Sequence, residues 1–117
     1  MPRTPQEIFQ HHAGALVAGD IDEIVADYTD DAVLITPDGV LRGRDGAREA
    51  LTTILGRLGD AQLAVPTQVF ADDVLYIEWT AESPTARVRD GVDTFVFTAE
   101  GIRVQTLHCT IEVLTPA

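Results

Sequence analysis

The sequence predicts an α+β fold in which N-terminal helices cover one face of an antiparallel sheet. Apolar residues recur at helical spacing, with capping residues between them, through most of the N-terminal half. From residue 62 onward the pattern changes to the alternation that is typical of strands. The segments ADD, SP and AEG that separate these strands are short, and turns this short join antiparallel neighbours.

Three helices are expected ahead of the sheet. The segment TPQE at residues 4–7 combines a threonine cap, a proline at the first helical position and a glutamate that completes a capping box, and Gly19 ends this helix. Asp20 caps a short second helix, which is expected to carry Tyr28 on its apolar side. An apolar stripe over residues 47–58 predicts the third helix.

Six strands are predicted from the alternating segments and their turns. Their bounds are 32–36, 40–42, 62–70, 74–82, 86–98 and 102–114. Pro66 cannot donate a ladder hydrogen bond, so it indicates an edge strand or a bulge. Asp90 and Gly91 inside a long strand indicate a bulge or bend. Long, bulged strands bend a sheet around its covering helix, and the open end of such a cone is a natural ligand pocket.

Length and composition narrow the class of protein. The 117 residues, 45% of them hydrophobic, are enough for one domain over residues 1–117 with a single core. A formal net charge of −11 repels phosphate backbones, so nucleic acid is not an expected partner, and no apolar run reaches the roughly 20 residues of a membrane span. Cys109 is the only cysteine and the N-terminus lacks an apolar signal segment, which together favour the cytoplasm.

Asp93 is the strongest candidate for a functional residue. In the segment DGVDTFVF (residues 90–97) it falls on the same strand parity as Phe95 and Phe97, where burial of a charge costs most. A protonated carboxyl there could donate a hydrogen bond to a carbonyl, and an ionised one could act as a base or orient a histidine. The alternative without a function is a side chain that caps the bend at Gly91.

Side chains from other elements could line the same pocket. His12 shares the apolar face of the first helix, whereas His11 points about 100° away from it. Trp79 belongs to an unbroken apolar face of its strand, and its indole N–H needs a partner if it is buried, for which Asp93 is a reasonable candidate. Tyr28 is either a pocket residue or part of the core.

The last strand supplies two further candidates, subject to its register. If Phe97 pairs with the start of that strand, Thr106 and His108 share the face of Asp93. A shift of one residue would turn both outward, so this placement depends on a ladder without irregularities.

Three segments resemble the nuclear transport factor 2 (NTF2) superfamily: AGALVAGDIDEIVADYTDDAVLITPDG, GRDGAREAL and GVDTFVFTAEGIRVQTLH. The resemblance is closest to its SnoaL-like polyketide-cyclase branch and its ketosteroid-isomerase branch. It covers nearly the whole chain and implies the NTF2-like or cystatin-like cone, with N-terminal helices packed on a strongly curved antiparallel sheet around a deep apolar pocket. It also implies a homodimer, and a mixture of Thr, Val and Leu on the outer face of the sheet favours an interface there.

The resemblance to ketosteroid isomerase carries over to single residues only in part. Asp93 occupies the position similar to that family's neutral carboxylic acid, and His12 the position similar to its tyrosine. Thr36 stands where the aspartate base would be. Without that base, steroid-type isomerisation by the same route is not expected.

The residues and the resemblance together favour a cofactor-free acid–base enzyme of the isomerase or cyclase class that acts on a small, largely apolar molecule. Asp93 with His108 or His12 would move the proton, and the residues expected to contact the substrate are Trp79, Tyr28, Phe95, Phe97, Thr36 and Thr106. The alternatives are a non-catalytic ligand-binding or accessory domain, and an epoxide hydrolase or dehydratase. The sequence has no phosphate-binding loop, no His-x-x-x-His pair and no cysteine pair, so neither a cofactor nor a metal is expected.

Overall fold

The three predicted helices are present in the structure, a computed structural model that describes residues 3–114: α1 (Pro5–Ala18), α2 (Ile21–Ala26) and α3 (Gly43–Leu58). The capping box of α1 is confirmed, since the Thr4 hydroxyl accepts from the Glu7 N–H at 3.1 Å and the Glu7 carboxylate accepts from the Thr4 N–H at 2.9 Å. Gly19 ends α1 in the left-handed conformation. None of the three helices is long and apolar enough to cross a membrane.

Residues 3–114 also contain one sheet with a core of six strands and a short seventh. The strands are β1 (Tyr28–Thr36), β2 (Gly39–Arg42), β3 (Gln62–Ala71), β4 (Val74–Glu82), β5 (Ala86–Thr98), β6 (Gly101–His108) and β7 (Glu112–Val113). Their order is β2-β1-β6-β5-β4-β3, and β7 pairs with the start of β5. Every pair is antiparallel except β1 and β6, which run parallel. Nothing in the local sequence pattern predicts that parallel pair.

Both bulges predicted from the sequence are present. The register of edge strand β3 on β4 shifts between Ala64 and Thr67, on either side of Pro66. The register of β4 on β5 shifts just beyond the pair of Trp79 and Gly91. Because a bulge bends its strand and increases the local twist, the two irregularities help the sheet to curve around the helices.

The sequence pattern predicted that Tyr28 belongs to the second helix. Instead, Tyr28 begins β1. The chain leaves the helix at Asp27, whose carbonyl oxygen accepts a hydrogen bond from the Ile102 N–H at 2.7 Å. Tyr28 then pairs with Ile102. The strand bond to β6 therefore ends the helix at Ala26, two residues earlier than the apolar pattern indicates.

The last strand is shorter than the predicted segment 102–114. It ends at His108, and the chain rejoins the sheet only at β7. At the break, the Asp90 carboxylate accepts hydrogen bonds from the backbone N–H and the hydroxyl of Thr110, at 2.8 and 2.7 Å. A side chain thus satisfies the backbone group that a ladder would otherwise pair.

The hydrophobic core lies between the helices and the face of the sheet that they cover. Alternate residues of β4 and β5 point into it, and the buried set includes Ile8, Phe9, Ile24, Leu51, Leu58, Leu75, Phe95 and Ile102. The curved sheet and its covering helices enclose the space in which the functional candidates lie.

Candidate functional site

A cavity of about 100 Å³ lies between α1, α3 and the covered face of the sheet. Four of its lining side chains carry polar atoms: His12 on α1, Trp79 on β4, Asp93 on β5 and Gln105 on β6. The other lining residues are hydrophobic. An apolar enclosure with a few convergent polar groups is typical of a site for a small, largely apolar molecule.

A wider recess of about 480 Å³ adjoins this cavity where α1 and α3 end. The two spaces share five lining side chains, which are Leu16, Val17, Leu55, Leu58 and Leu63. The recess therefore lies directly beside the inner cavity and extends the volume open to a ligand. Among residues 3–114, no arginine or lysine lines either space.

Asp93 projects into the inner cavity from the middle of β5. It pairs with Ile77 and Leu107 on the neighbouring strands and is 4% exposed. Its Oδ1 accepts a hydrogen bond from Trp79 Nε1 at 2.9 Å, and its Oδ2 accepts one from Gln105 Nε2 at 2.8 Å. Burial raises the pKa of the carboxyl to about 6, although both hydrogen bonds act to lower it.

The raised pKa of Asp93 predicts a pH dependence of stability. The pKa is about 6 in the folded protein and near 3.9 in an unfolded chain, so the folded state binds the proton more tightly. The contribution of Asp93 to the free energy of unfolding is therefore most favourable below about pH 4. It decreases as the pH rises through 6, by about 3 kcal/mol in total. Denaturant unfolding of the wild type and of Asp93→Asn, at steps from pH 4 to 8, should show this difference. Parallel curves for the two proteins would contradict it.

The position of Trp79 depends on a glycine in the facing strand. Trp79 pairs with Gly91, and a Cβ atom built at position 91 would lie 2.4 Å from the indole ring. Only glycine leaves room for the ring to lie flat across β5 and turn Nε1 toward Asp93. The hydrogen bond between Trp79 and Asp93 was expected from the sequence and is present.

Gln105 is a polar cavity residue that the sequence pattern did not indicate. It is 3% exposed, and its Oε1 accepts a hydrogen bond from the Tyr28 hydroxyl while its Nε2 donates to Asp93. Burial, with the nearby charges of Asp93 and Asp27, raises the pKa of Tyr28, so its hydroxyl stays protonated and able to donate. This bond fixes the direction of the amide, so the NH₂ group faces the carboxylate.

His12 reaches the cavity from the opposite wall, on α1. The ring is 1% exposed and makes edge contacts with Tyr28 and Phe95, at centroid distances of 5.4 and 6.0 Å. Its Nδ1 lies 3.2 Å from Oδ2 of Asp27. Within residues 3–114, Nε2 has no hydrogen-bond partner, which leaves it for a molecule in the cavity.

Asp27 is a second buried carboxylate, and nothing in the sequence pattern indicated it. Besides His12 it binds Arg3 Nη1 at 2.9 Å and His11 Nδ1 at 2.7 Å. Burial acts against the anion, but the hydrogen bonds from His12, Arg3 and His11 outweigh it and hold the pKa of Asp27 below its usual value. The hydrogen bond to Asp27 in turn raises the pKa of His11. In the described chain, no group of three or more His, Cys, Asp or Glu residues is placed to hold a metal ion.

The pocket placement predicted for Thr106 and His108 is wrong, because both are exposed on the outer face of the sheet. The prediction began the pairing correctly at Phe97, but a bulge at Arg103 then shifts the register by one residue. The shift reverses the parity of the strand beyond it. Gln105 consequently takes the inner position.

Three other predicted contact residues lie outside the cavity lining. Thr36 is the last residue of β1, and its hydroxyl accepts from the Asp38 N–H of the following turn at 3.1 Å. Phe97 is buried behind Phe95, with the two rings stacked at 6.0 Å, and Tyr28 supports Gln105 from the core. Of the aromatic side chains predicted to contact a ligand, Trp79 and Phe95 do line the cavity.

The fold has many solved relatives. SalBIII, an epoxide hydrolase/cyclase-like enzyme with a role in pyran ring formation in the polyether salinomycin, has a TM-score of 0.77 at 21% identity, with 94% of this chain and 95% of that chain covered. A candidate ketosteroid isomerase from Kribbella flavida DSM 17836 has a TM-score of 0.76 at 16% identity, with coverage of 97% and 82%. An NTF2-like protein of unknown function from Cytophaga hutchinsonii ATCC 33406 gives 0.75 at 7% identity, with coverage of 94% and 93%.

These structural likenesses confirm the NTF2-like fold that the sequence resemblance implied. A search of curated proteins finds no match to the chain. The sequence model of the SnoaL-like domain family matches residues 9–105, which is most of the 117-residue chain. The protein therefore belongs to the SnoaL-like domain family.

Proposed function

We propose that this protein is a cofactor-independent enzyme of the isomerase or cyclase class, in which Asp93 takes a proton from a small, largely apolar carbonyl compound. The observation that supports this most directly is the buried Asp93 carboxylate on the wall of an otherwise hydrophobic cavity. A charged group is costly in such surroundings and persists where it is hydrogen-bonded or has a task. Asp93 has two N–H partners and still borders the space where a ligand would lie.

The environment of Asp93 suits a general base better than a neutral acid. Both oxygens accept N–H hydrogen bonds, which favours the anion. A pKa of about 6 leaves most of the carboxyl ionised at neutral pH, yet keeps it basic enough to accept a proton. Each oxygen retains a lone pair for the proton of a bound molecule.

The proposed reaction begins when Asp93 removes a proton from the carbon next to a carbonyl group. The C–H bond breaks, an O–H bond forms on Asp93, and the electron pair moves to the carbonyl oxygen as an enolate. In an isomerase, Asp93 returns the proton to a different carbon of the same molecule. In a cyclase, the enolate carbon attacks a second carbonyl group, and the resulting alkoxide takes the proton from Asp93.

His12 is placed to stabilise the enolate oxygen from the other wall. When both ring nitrogens carry a proton, Nδ1–H donates to Asp27 and Nε2–H is available to the oxygen on which charge develops. A preorganised donor in a cavity that excludes water stabilises such a charge strongly. Thr36, at the end of β1, takes no part in this arrangement, so the proposed base is Asp93 itself.

The proposal is tested by proton exchange, which needs no knowledge of the natural substrate. The wild-type protein is incubated in D₂O with cyclohexanone and with 3-cyclohexen-1-one, and NMR follows deuterium uptake and double-bond migration. We expect saturable exchange above the buffer rate. Binding that quenches Trp79 fluorescence without any exchange would instead support the non-catalytic ligand-binding alternative.

The epoxide-hydrolase alternative has less support from the site. Epoxide hydrolases of the NTF2 superfamily position water with an Asp–Arg–Asp arrangement, and no arginine among residues 3–114 lines either cavity. Diol formation from small epoxides such as cyclohexene oxide is the control reaction. A diol yield above buffer, without ketone exchange, would favour this alternative.

We also propose that the protein forms a homodimer through the outer face of the sheet. Cross-strand register aligns Val33, Val104, Val96 and Val74 in one row, and Ile35, Thr106, Thr94 and Tyr76 in the next. Neither row carries a charge, and Ile35 is 41% exposed. Light scattering at micromolar concentration should show a dimer for the wild type and a monomer for Thr94→Arg. A wild-type monomer would refute this interface.

A further inference from the structure

Asp27, at the end of α2, is more than a structural ion-pair residue. We propose that Asp27 is a positioning residue that fixes the tautomer and orientation of the His12 ring, so that Nε2 of His12 faces the inner cavity. The tautomer follows from the contacts and the charge of the Asp27 carboxylate. Its consequence for turnover rests on the proposed function.

The hydrogen bonds at Asp27 determine which ring nitrogen carries the proton. Its Oδ2 lies 3.2 Å from Nδ1 of His12 and 2.7 Å from Nδ1 of His11, and its Oδ1 accepts from Arg3 at 2.9 Å. An ionised carboxylate can only accept hydrogen bonds. Nδ1 of His12 must therefore carry a hydrogen, which makes Nε2 an acceptor in the neutral ring and a donor in the charged one.

The partners of Asp27 keep it ionised although its side chain is only 1% exposed. The Arg3 guanidinium is charged at all accessible pH values, and with His11 and His12 it holds the pKa of Asp27 below its usual range. The main chain of Asp27 is tied to β6 through its bond to Ile102. Charge and position of the carboxylate are thus both fixed before a ligand enters.

The surroundings of His12 also restrict rotation of its ring. Tyr28 and Phe95 both lie edge-on to the imidazole, at interplanar angles of 79° and 75°. A flip about the ring axis would turn Nδ1 away from Asp27 and leave a buried carboxylate with one partner fewer. The aromatic contacts and the carboxylate therefore select the same single orientation.

The direct test is the tautomer of His12, read from ¹⁵N–¹H long-range NMR spectra of uniformly labelled protein. The His11→Gln, His12→Gln and His108→Gln variants assign the three ring signals. At a pH where the ring is neutral, we expect the proton of His12 on Nδ1. A wild-type spectrum with the proton on Nε2 overturns the proposal without any further variant.

Asp27→Asn gives the second measurement, because the amide NH₂ can donate to Nδ1 where the carboxylate could only accept. We expect the proton of neutral His12 to move to Nε2 in this variant. Glu23→Gln is the matched control, since Glu23 contacts Nε2 of His11 at 3.0 Å and not His12. An unchanged His12 tautomer in folded Asp27→Asn contradicts the proposal. If this variant does not fold, the wild-type spectrum alone decides whether the proposal holds.

Turnover separates this inference from the proposed function. In the ketone exchange assay, Asp27→Asn should lower kcat about 10-fold with little change in KM. The ligand contacts remain, but without the carboxylate the doubly protonated His12 ring is no longer stabilised, and the neutral Nε2–H is a weaker donor than the charged one. A change confined to KM would mean that Asp27 serves only to shape the cavity. If the wild type shows no exchange at all, the proposed function fails while the tautomer result still stands.

Discussion

Replacing Asp93 by Asn is expected to lower kcat for ketone exchange by about 10²- to 10⁴-fold, the usual contribution of a general base. Asparagine has nearly the same shape, and its amide oxygen can still accept the hydrogen bond from Trp79 Nε1, which is 2.9 Å long in the wild type. It cannot take up a proton at neutral pH. The loss should therefore appear in kcat, while KM stays within a few-fold because the hydrophobic lining is unchanged.

His108→Gln is the matched control for this substitution. His108 lies exposed on the outer face of the same sheet and does not line the cavity, so its removal should leave exchange at the wild-type rate. Unfolding measured at pH 8 should show that Asp93→Asn is folded, since the variant no longer buries an ionised group. Exchange by folded Asp93→Asn at more than a third of the wild-type rate would mean that the base is another residue.

The part of the site on β4 and β5 could be predicted because it depends on local alternation. These two strands are joined by a short turn, and parity within each strand placed Trp79 and Asp93 on the covered face. The need of a buried indole for an acceptor then linked the two side chains. The irregularity beside Gly91 was signalled by the glycine itself.

The part contributed by β6 could not be predicted, because its register depends on a bulge that no glycine or proline marks. The extra residue is Arg103, whose side chain forms an ion pair with Asp31 at 3.1 Å on the parallel neighbour β1. Because the register shifts by one residue, Gln105 and Leu107 lie on the inner face, where Thr106 and His108 were predicted. The sequence contains the correct polar residue for the cavity, but local pattern assigns it to the wrong side.

Asp27 could not be predicted for a different reason. Its partners lie before α1, in the case of Arg3, or within α1, in the case of His11 and His12. The sequence around Asp27 itself has the pattern of a helix end followed by a turn. Acidic residues in such positions are usually exposed. The burial of Asp27 follows only from the parallel pairing of β1 with β6, which draws the start of β1 into the sheet.

Gly91→Ala should destabilise the protein by about 1–3 kcal/mol, the usual cost of forcing an extra methyl group into a packed interior. The new Cβ would lie 2.4 Å from two ring carbons of Trp79, which is too close for any real contact. The effect is steric, because Gly91 does not have the left-handed backbone that strains other residues. Denaturant unfolding at pH 7 measures it.

The same substitution should also alter the chemistry of Asp93. Displacement of the indole removes the hydrogen bond to Oδ1, which is one of the two interactions that lower the pKa of the buried carboxyl. The pKa of Asp93 should therefore rise above about 6, and the acidic limb of the exchange profile, on which the base becomes protonated, should move to higher pH. Trp79 fluorescence reports the displacement of the ring independently of activity.

Gly14→Ala is the control that distinguishes a steric clash at position 91 from the general effect of replacing a glycine by alanine. Gly14 is exposed within α1, and a Cβ there meets nothing within 4 Å. The change should stabilise the protein by about 0.5–1 kcal/mol, since alanine favours the helix. If Gly91→Ala is instead as stable as the wild type, with the same Trp79 emission, the indole does not lie against position 91 and the orientation of Asp93 must have another origin.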